Sequence, residues 1–398
     1  MAAVQSRAAT VRRSPSGLRN AITLGIVGGG QLAKMTAQAA AQLGCKVVIL
    51  ERQPEFPAGS VAARTLIGDW DDPDSLLDLA ALVEVVTLEN EFVDAGALAF
   101  LEQRGHPLWP SSATMRLIQD KFVQKQTLAA AGLPVPWPRA VERMEDVAAV
   151  ACEWGFPLLL KARRNAYDGK GNATIRTVTD IETAWRKLGG PSSNPLFAEQ
   201  FCPFTQELAI IVTRARDGEV VTYPVVETVQ REHICHVVRA PAPVAPEIAE
   251  RAADLACRAV AAIGAIGSFG VEMFLMKDGQ LFINELAPRV HNSGHYTIEA
   301  CVCSQFENHV RAVLGWPLGS TAMRSPAAAM VNLLASADGP AMPQGLQEAL
   351  RVPGAHVHLY GKNHSAPGRK MGHVTALGQT LADAEATAQR AADCIRFE

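Results

Sequence analysis

The chain lacks any uninterrupted run of ~20 apolar residues, the length a helix needs to cross a bilayer, so no membrane partner is expected. It also lacks a cationic excess: 37 basic against 40 acidic side chains leave a net charge of −3. Phosphate-backbone binding needs Lys and Arg massed on one face, so no nucleic-acid partner is expected either. Cysteine is sparse, eight in 398 residues with no Cys-x-x-Cys pair, which removes the common zinc and dithiol spacings and fits free thiols in a reducing compartment. His233, Cys235 and His236 lie close together but have no second ligand pair. Extended disorder is excluded for most of the chain, because 48% of residues are hydrophobic and only 19% charged, enough to bury a sizeable core.

Residues 1–20 differ from the rest, with Arg7, Arg12, Arg13 and Arg19, several Ala and Ser, and no acid. That composition fits an organelle transit peptide, a disordered leader or an overcalled start. A cytoplasmic location is expected, with organelle targeting by residues 1–20 as the alternative.

From residue 22 the pattern is strand, glycine turn, helix and strand (22–27, 28–30, 31–43, 46–50), with a further strand at 85–88 and helical patterns at 74–83 and 94–104. Alternation of this kind argues a parallel sheet covered by helices. A boundary falls near Pro110, followed by a helix at 121–131 and strands at 158–162, 174–178, 196–199, 207–213 and 220–226. Asp217-Gly218 and Asp278-Gly279 are hairpin signals, the second joining strands 269–276 and 281–286 after a helix at 247–263. A helix near 382–394 closes the chain.

Gly28-Gly29-Gly30-Gln31-Leu32-Ala33 follows a strand and opens a helix, and Glu51 ends the next strand. Amides at a helix N-terminus attract phosphate, and an acid so placed can take a ribose hydroxyl. A nicotinamide-dinucleotide oxidoreductase is one reading of this turn, any phosphate-binding α/β domain another, and close strand–helix packing the bland one. The second hairpin is more specific. Folding about Asp278-Gly279 sets Glu272 opposite Glu285 in two otherwise apolar strands, with Asn284 alongside. Two opposed carboxylates repel unless a cation separates them, and Mg²⁺ with phosphate oxygens suits them. Separate pairing of each acid with a Lys or Arg is the alternative.

Directly after it, Ala287-Pro288-Arg289-Val290-His291-Asn292-Ser293-Gly294-His295 is rich in directional donors and reads as a substrate loop. Lys161 ends an apolar strand before Tyr167-Asp168-Gly169-Lys170-Gly171-Asn172, a glycine-bearing loop able to lie over phosphates. Gly368-Arg369-Lys370-Met371-Gly372-His373, with Lys362 upstream, suits a phosphate monoester or a solvated basic turn.

Occurring together and in this order, these segments resemble the ATP-grasp superfamily and, within it, the N5-carboxyaminoimidazole ribonucleotide synthetases of purine biosynthesis. Pro203-Phe-Thr-Gln-Glu-Leu-Ala and His295-Tyr-Thr-Ile-Glu-Ala look most like the synthetase half of the fungal and plant bifunctional enzymes. The resemblance implies an α/β chain, with a Rossmann-like parallel-sheet domain at 21–118, an ATP-grasp fold at 119–318 and a small C-terminal α+β domain at 319–398. It implies ATP- and bicarbonate-dependent carboxylation of 5-aminoimidazole ribonucleotide via carboxyphosphate, another ATP-grasp carboxylase or ligase being the neighbouring alternative. Mg²⁺, or Mn²⁺ in its place, would sit on Glu272 and Glu285. ATP would meet Lys121, Lys161, the loop Ala166, Tyr167, Asp168, Gly169, Lys170, Gly171 and Asn172, the hinge Glu199, Gln200, Phe201 and Cys202, then Glu207, Gln230, Asn284 and Glu285. The ribonucleotide would meet Gly30, Gln31, Tyr167, Asn292, Ser293, Lys362, Arg369 and Lys370, with Asp168, Lys170, Arg289 and His291 in catalysis. Two departures stand out: Asn165-Ala166 where the family commonly has two glycines, and Gln230 where it often has a histidine. A homodimer, by analogy, and a separate mutase are the implied protein partners.

Overall fold

The computed structural model describes residues 21–165, 171–189 and 194–397; residues 1–20 and the loop calls on Ala166, Tyr167, Asp168, Gly169 and Lys170 lie outside them. Among the described residues no helix is long and apolar enough to cross a membrane.

The glycine turn begins the fold. Strand Thr23–Val27 is buried throughout and pairs in parallel with Lys46–Glu51 and Val85–Leu88, while Arg64–Ile67 extends the sheet beyond Lys46–Glu51. Near-continuous apolar strands of this kind require cover on both faces. Helix Gln31–Gln42 supplies it on one side through Ala33, Ala37 and Ala40, and Pro73–Ala80 on the other through Leu76 and Leu79.

A small antiparallel sheet follows, ordered Pro138–Val141, Leu196–Gln200, Leu158–Ala162, Asn172–Ile175. The expected strand at 174–178 is displaced towards the loop, so that Asn172 pairs with Lys161. The expected strand at 220–226 is broken into Val220–Thr222 and Val226–Arg231. Pro224 lies in the gap, and a residue without an N–H cannot continue a ladder.

The central sheet is larger. Gly267–Met276 is flanked by Leu281–Ala287 and Phe204–Arg214, the sheet then passing through Val226–Arg231 and Ile234–Ala240. Residues 319–398, expected as a small α+β domain, place Ala327–Leu334 and Lys370–Gly378 in this same sheet, next to Ile234–Ala240. The C-terminal segment is thus hydrogen-bonded to the sheet that carries Glu272. Helix Pro246–Ala262 packs Ala252, Ala256, Ala259 and Val260 against Leu208, Ile210 and Phe269.

Candidate active site

A cleft of about 490 Å³ lies between the small antiparallel sheet, the central sheet and the polar run after Leu281–Ala287. Its floor is the second hairpin. Glu272 pairs directly with Glu285, and the register then slips, Met273 pairing with Ile283, so that Asn284 is the extra residue of a bulge. A bulge re-aims side chains that strict alternation would send to opposite faces, and both Asn284 and Glu285 line the cleft. Asn284 Nδ2 lies 3.5 Å from Glu272 Oε2. Burial, with Glu285 and Glu207 nearby, pushes the Glu272 carboxyl up to about 7. Hard oxygen donors burdened with unscreened negative charge fit a divalent cation.

The opposite wall is cationic and rests on helix Lys121–Ala130. Asp120 caps this helix through the amides of Phe122 and Val123, and it holds Arg163 in a two-pronged pair at 2.7 and 3.0 Å. Lys121 and Lys125, one turn apart, project to the same side. Lys121 Nζ donates to Glu285 Oε2 at 2.7 Å. Lys125 Nζ reaches Glu199 Oε2 and the Asn284 carbonyl, each at 2.9 Å, and Lys161 pairs with the other oxygen of Glu199. Burial opposes ionisation of Glu199, but Lys125 and Lys161 outweigh it and hold the carboxyl below its ordinary range. A buried carboxylate shared by two lysines leaves the trio one positive charge, facing the cleft.

At the far end, Arg289 is clamped by Glu91, Nε to Oε2 at 2.6 Å and the second amino group to Oε1 at 3.0 Å. Burial works against this guanidinium's charge, yet Glu91 holds its pKa above the ordinary value. Burial, then Arg289 and Lys370, depress His291 to about 3. Its Nδ1 lies 2.9 Å from Ser293 Oγ and its Nε2 3.5 Å from Glu272 Oε1. Asn292 exchanges hydrogen bonds with Asn332 on the C-terminal strand.

The described residues expected at ATP all line this one cleft: Lys121, Lys161, Gly171 and Asn172, then 199–202, Glu207, Gln230, Asn284 and Glu285. The Glu199 side chain is occupied by lysines, and its backbone is paired with Pro138 and Leu159 in the small sheet. Asn292, Ser293 and Lys370 join them. Lys362 and Arg369 are not on the cleft wall: Lys362 Nζ donates to the Lys370 carbonyl at 2.7 Å, and exposed Arg369 donates to the His364 carbonyl at 2.9 Å. Gly30 and Gln31 lie at the N-terminal turn. His295 points the other way, fully buried against Phe306 and His373.

The glycine turn itself is closed to a dinucleotide. Gly29 N–H donates to Glu51 at 2.7 Å, taking up the acid a ribose would need. A side-chain carbon on Gly29 would fall 2.3 Å from the Phe56 ring, and one on Gly30 2.3 Å from the Glu89 carboxylate. Burial pushes Glu89 up to about 7 against the pull of Arg289.

Lys125, Glu91 and Glu89 were not singled out by sequence. Lys125 had a usable signal, standing four residues after Lys121 in a helix. Glu91 had none, because its partner is 198 residues away.

Three family models match in chain order: the Ribonucleotide synthetase preATP-grasp domain over residues 21–119, the ATP-grasp domain over 126–306, and the Phosphoribosylaminoimidazole carboxylase C-terminal domain over 328–387. A phosphoribosylaminoimidazole carboxylase of Ogataea methanolica is 43% identical across 91% of this chain and 68% of its own length. For the chloroplastic enzyme of Vigna aconitifolia the identity is 40%, over 92% and 65%. The chain thus spans about two thirds of these longer relatives. It spans 88% of an N5-carboxyaminoimidazole ribonucleotide synthase from Synechococcus elongatus, at 40% identity over 88% of this chain. Among solved structures, the N5-carboxyaminoimidazole ribonucleotide synthetase of Thermotoga maritima aligns over 94% of this chain and 99% of its own, with a TM-score of 0.85 and 39% identity. An Aspergillus clavatus synthase in complex with ADP and 5-aminoimidazole ribonucleotide aligns over 94% and 98%, with a TM-score of 0.86 and 38% identity.

Proposed function

The chain belongs to the N5-carboxyaminoimidazole ribonucleotide synthetase family of ATP-grasp ligases, and from that membership and the geometry of the cleft we propose the following division of labour. ATP, bicarbonate and 5-aminoimidazole ribonucleotide give the N5-carbamate, ADP and phosphate. The observation that carries this reading is the Glu272–Glu285 pair, set between a lysine wall and the Arg289–Ser293 loop in one cleft.

The Lys125–Glu199–Lys161 trio and Lys121 draw the triphosphate to the wall above the hairpin. Glu272, Glu285 and Asn284 would hold Mg²⁺, which when bound neutralises charge on the transferring phosphoryl group. Bicarbonate oxygen attacks the γ-phosphorus, ADP departs, and carboxyphosphate then yields CO₂ for the exocyclic amine of the ribonucleotide. Arg289, fixed in direction by Glu91, places an immobile positive charge beside this reaction. A ring as weakly basic as His291 is a poor proton acceptor, so the amine proton goes to Asp168, while His291 supplies an oriented imidazole at Glu272. The loop of residues 166–172, with Tyr167 and Lys170, shields carboxyphosphate from water. The ribonucleotide phosphate lies outside the cleft wall proper, beyond Lys370, where Lys362, Arg369 and Lys370 take it with Gly30 and Gln31.

The same reading includes a cytoplasmic site of action, a homodimer and a separate mutase that consumes the carbamate. Light scattering on the eluting protein tests the dimer.

The deciding experiment is ADP release by the purified chain with Mg-ATP and bicarbonate, with and without 5-aminoimidazole ribonucleotide, beside Glu285→Gln. Stimulation by the ribonucleotide, lost in the variant, supports the assignment. ATP hydrolysis indifferent to the ribonucleotide would move the substrate elsewhere.

A further inference from the structure

The loop bearing Arg289 and His291 is gripped from behind by a side chain outside every motif. Gln305 opens helix Gln305–Leu314 and is fully buried. Its amide oxygen accepts from the His291 N–H at 2.9 Å. Its amide nitrogen donates to the His291 carbonyl at 2.8 Å and lies 3.2 Å from His295 Nδ1. An amide offers one acceptor and two donors in these directions, and here all are engaged. One side chain therefore reads both backbone groups of His291 as a neighbouring strand would.

The grip is itself anchored. The Gln305 N–H, unpaired within its own helix because it lies in the first turn, donates to Thr297 Oγ1 at 3.0 Å. Its carbonyl accepts from Ser268 Oγ at 3.0 Å, and Ser268 lies on the strand that carries Glu272. A side-chain carbon on Gly294 would fall 2.6 Å from the Gln305 amide carbon, so the loop closes tightly over it.

We propose that Gln305 is a positioning residue that holds His291 against Glu272 by fixing the loop backbone at that residue, so the reactivity of the cleft depends on an amide that touches no substrate. The inference rests on the reading that the Arg289–Ser293 loop faces the reacting groups. It differs from a simple packing role in one respect. A packing residue would shift stability and all kinetic constants together, whereas a positioning residue acts on kcat and spares the ATP end of the cleft.

The test compares Gln305→Leu and Gln305→Glu in the full chain, reading bicarbonate-dependent ADP release with and without the ribonucleotide. Leu keeps the bulk and loses all three bonds. Glu, when protonated, still offers C=O to the His291 N–H and O–H to the His291 carbonyl; when ionised it offers no donor. The titratable groups packed about this position are His291 and His295 from the loop and His309 on its own helix, with His373 beyond the His295 ring. Gln305→Leu is expected to lose ~10²-fold in kcat, the scale of a sub-ångström to 1 Å misplacement, with the KM for ATP changed less than about threefold. Gln305→Glu is expected to approach the parent in acid and to fall about tenfold below it as the pH rises and the introduced carboxyl ionises.

Should Gln305→Leu fail to fold, the pH profile of Gln305→Glu carries the test. The proposal is overturned if folded variants keep the parental kcat across the pH range, or if kcat falls together with ATP affinity in a pH-independent way. A parent indifferent to the ribonucleotide would sink the substrate assignment alone, because the bicarbonate-dependent rate still reports on Gln305.

Discussion

Glu272 and Glu285 face each other across adjacent antiparallel strands, yet Lys121 sits on Glu285, at 2.7 Å, while Glu272 faces the uncharged ring of His291 at 3.5 Å. The two acids should therefore answer differently to the same substitution. Glu272→Gln relieves repulsion and should leave the thermal midpoint of the metal-free protein unchanged or higher. Glu285→Gln strips Lys121 of its partner in a largely buried place and should cost on the order of 1–3 kcal/mol. Both should abolish the stabilisation that Mg-ADP gives the parent and slow turnover by ~10²-fold or more. Thermal melts with and without Mg-ADP check this, and equal destabilisation by the two variants would contradict it.

Glu199 is shared between Lys125 and Lys161. Replacing Lys125 by Met takes away one of the two charges that keep this carboxylate ionised, and the trio drops from net positive to neutral. The KM for ATP should rise about tenfold, with a stability loss of a few kcal/mol, as expected when one partner of a buried bridge is removed. Steady-state kinetics beside urea melts separate the two effects. An unchanged KM would show that the trio does not face the phosphates.

The parts legible in the sequence were those set by local rules. Asp278-Gly279 marks the hairpin in the sequence, and a two-residue count about it pairs Glu272 with Glu285; the turn in the structure holds three residues, with Met276 bonded to Gln280 and Met273 opposite Ile283. The bulge at Asn284, between the turn and this pair, could not be counted; it shifts the register by the one residue that brings Glu285 opposite Glu272, and it turns Asn284 and Glu285 to one side. The glycine turn was legible as a turn but not as a closed one, because Phe56 and Glu89 reach it through tertiary packing. The Arg289–Glu91 and Gln305–His291 contacts are likewise long-range, and no periodicity or propensity encodes which acid or amide a given backbone will meet. The C-terminal strands were legible singly, but their junction with the central sheet depends on Ile234–Ala240 meeting Ala327–Leu334, a non-local pairing.

His309 links the N-terminal sheet to the central one and should make that junction sensitive to acid. The Ser268 N–H donates to its Nδ1 at 3.0 Å, which leaves Nε2 to donate to Thr87 Oγ1 at 2.9 Å. A second proton on Nδ1 would break the first bond, and burial lowers the pKa to about 4. Because the folded value lies below the unfolded one, the unfolded chain takes up the proton first as pH falls. The stability that His309 contributes is therefore present above about pH 6.5 and is lost as pH drops towards about 4, a linkage on the order of 3 kcal/mol. His309→Gln should be less stable at neutral pH but show a shallower decline over that window. Urea melts across the range decide it, and parallel profiles would remove His309 from the account.

Gly270 offers a way to move the His291 ring without touching the loop. It lies on strand Gly267–Met276, paired with Ala287 on one side and Ile211 on the other. A side-chain carbon there would stand 2.6 Å from both Cβ and Cγ of His291. Those atoms are the root of the side chain, so no rotation of a flexible end can relieve the contact. Nor can the loop back away easily, since both backbone groups of His291 are held by Gln305. The strand or the loop backbone must therefore give, at a cost in stability, and the ring moves with it away from Ser293 and Glu272. Gly270→Ala should thus cost about 1–3 kcal/mol, as overpacking does, and lower kcat by ~10²-fold while the KM for ATP stays within about threefold of the parent. Gly59→Ala, where the added carbon would meet the Phe56 ring at an ordinary 3.4 Å, is the matched control. A folded Gly270→Ala protein with parental turnover would mean that the placement of His291 against Glu272 contributes nothing to the reaction.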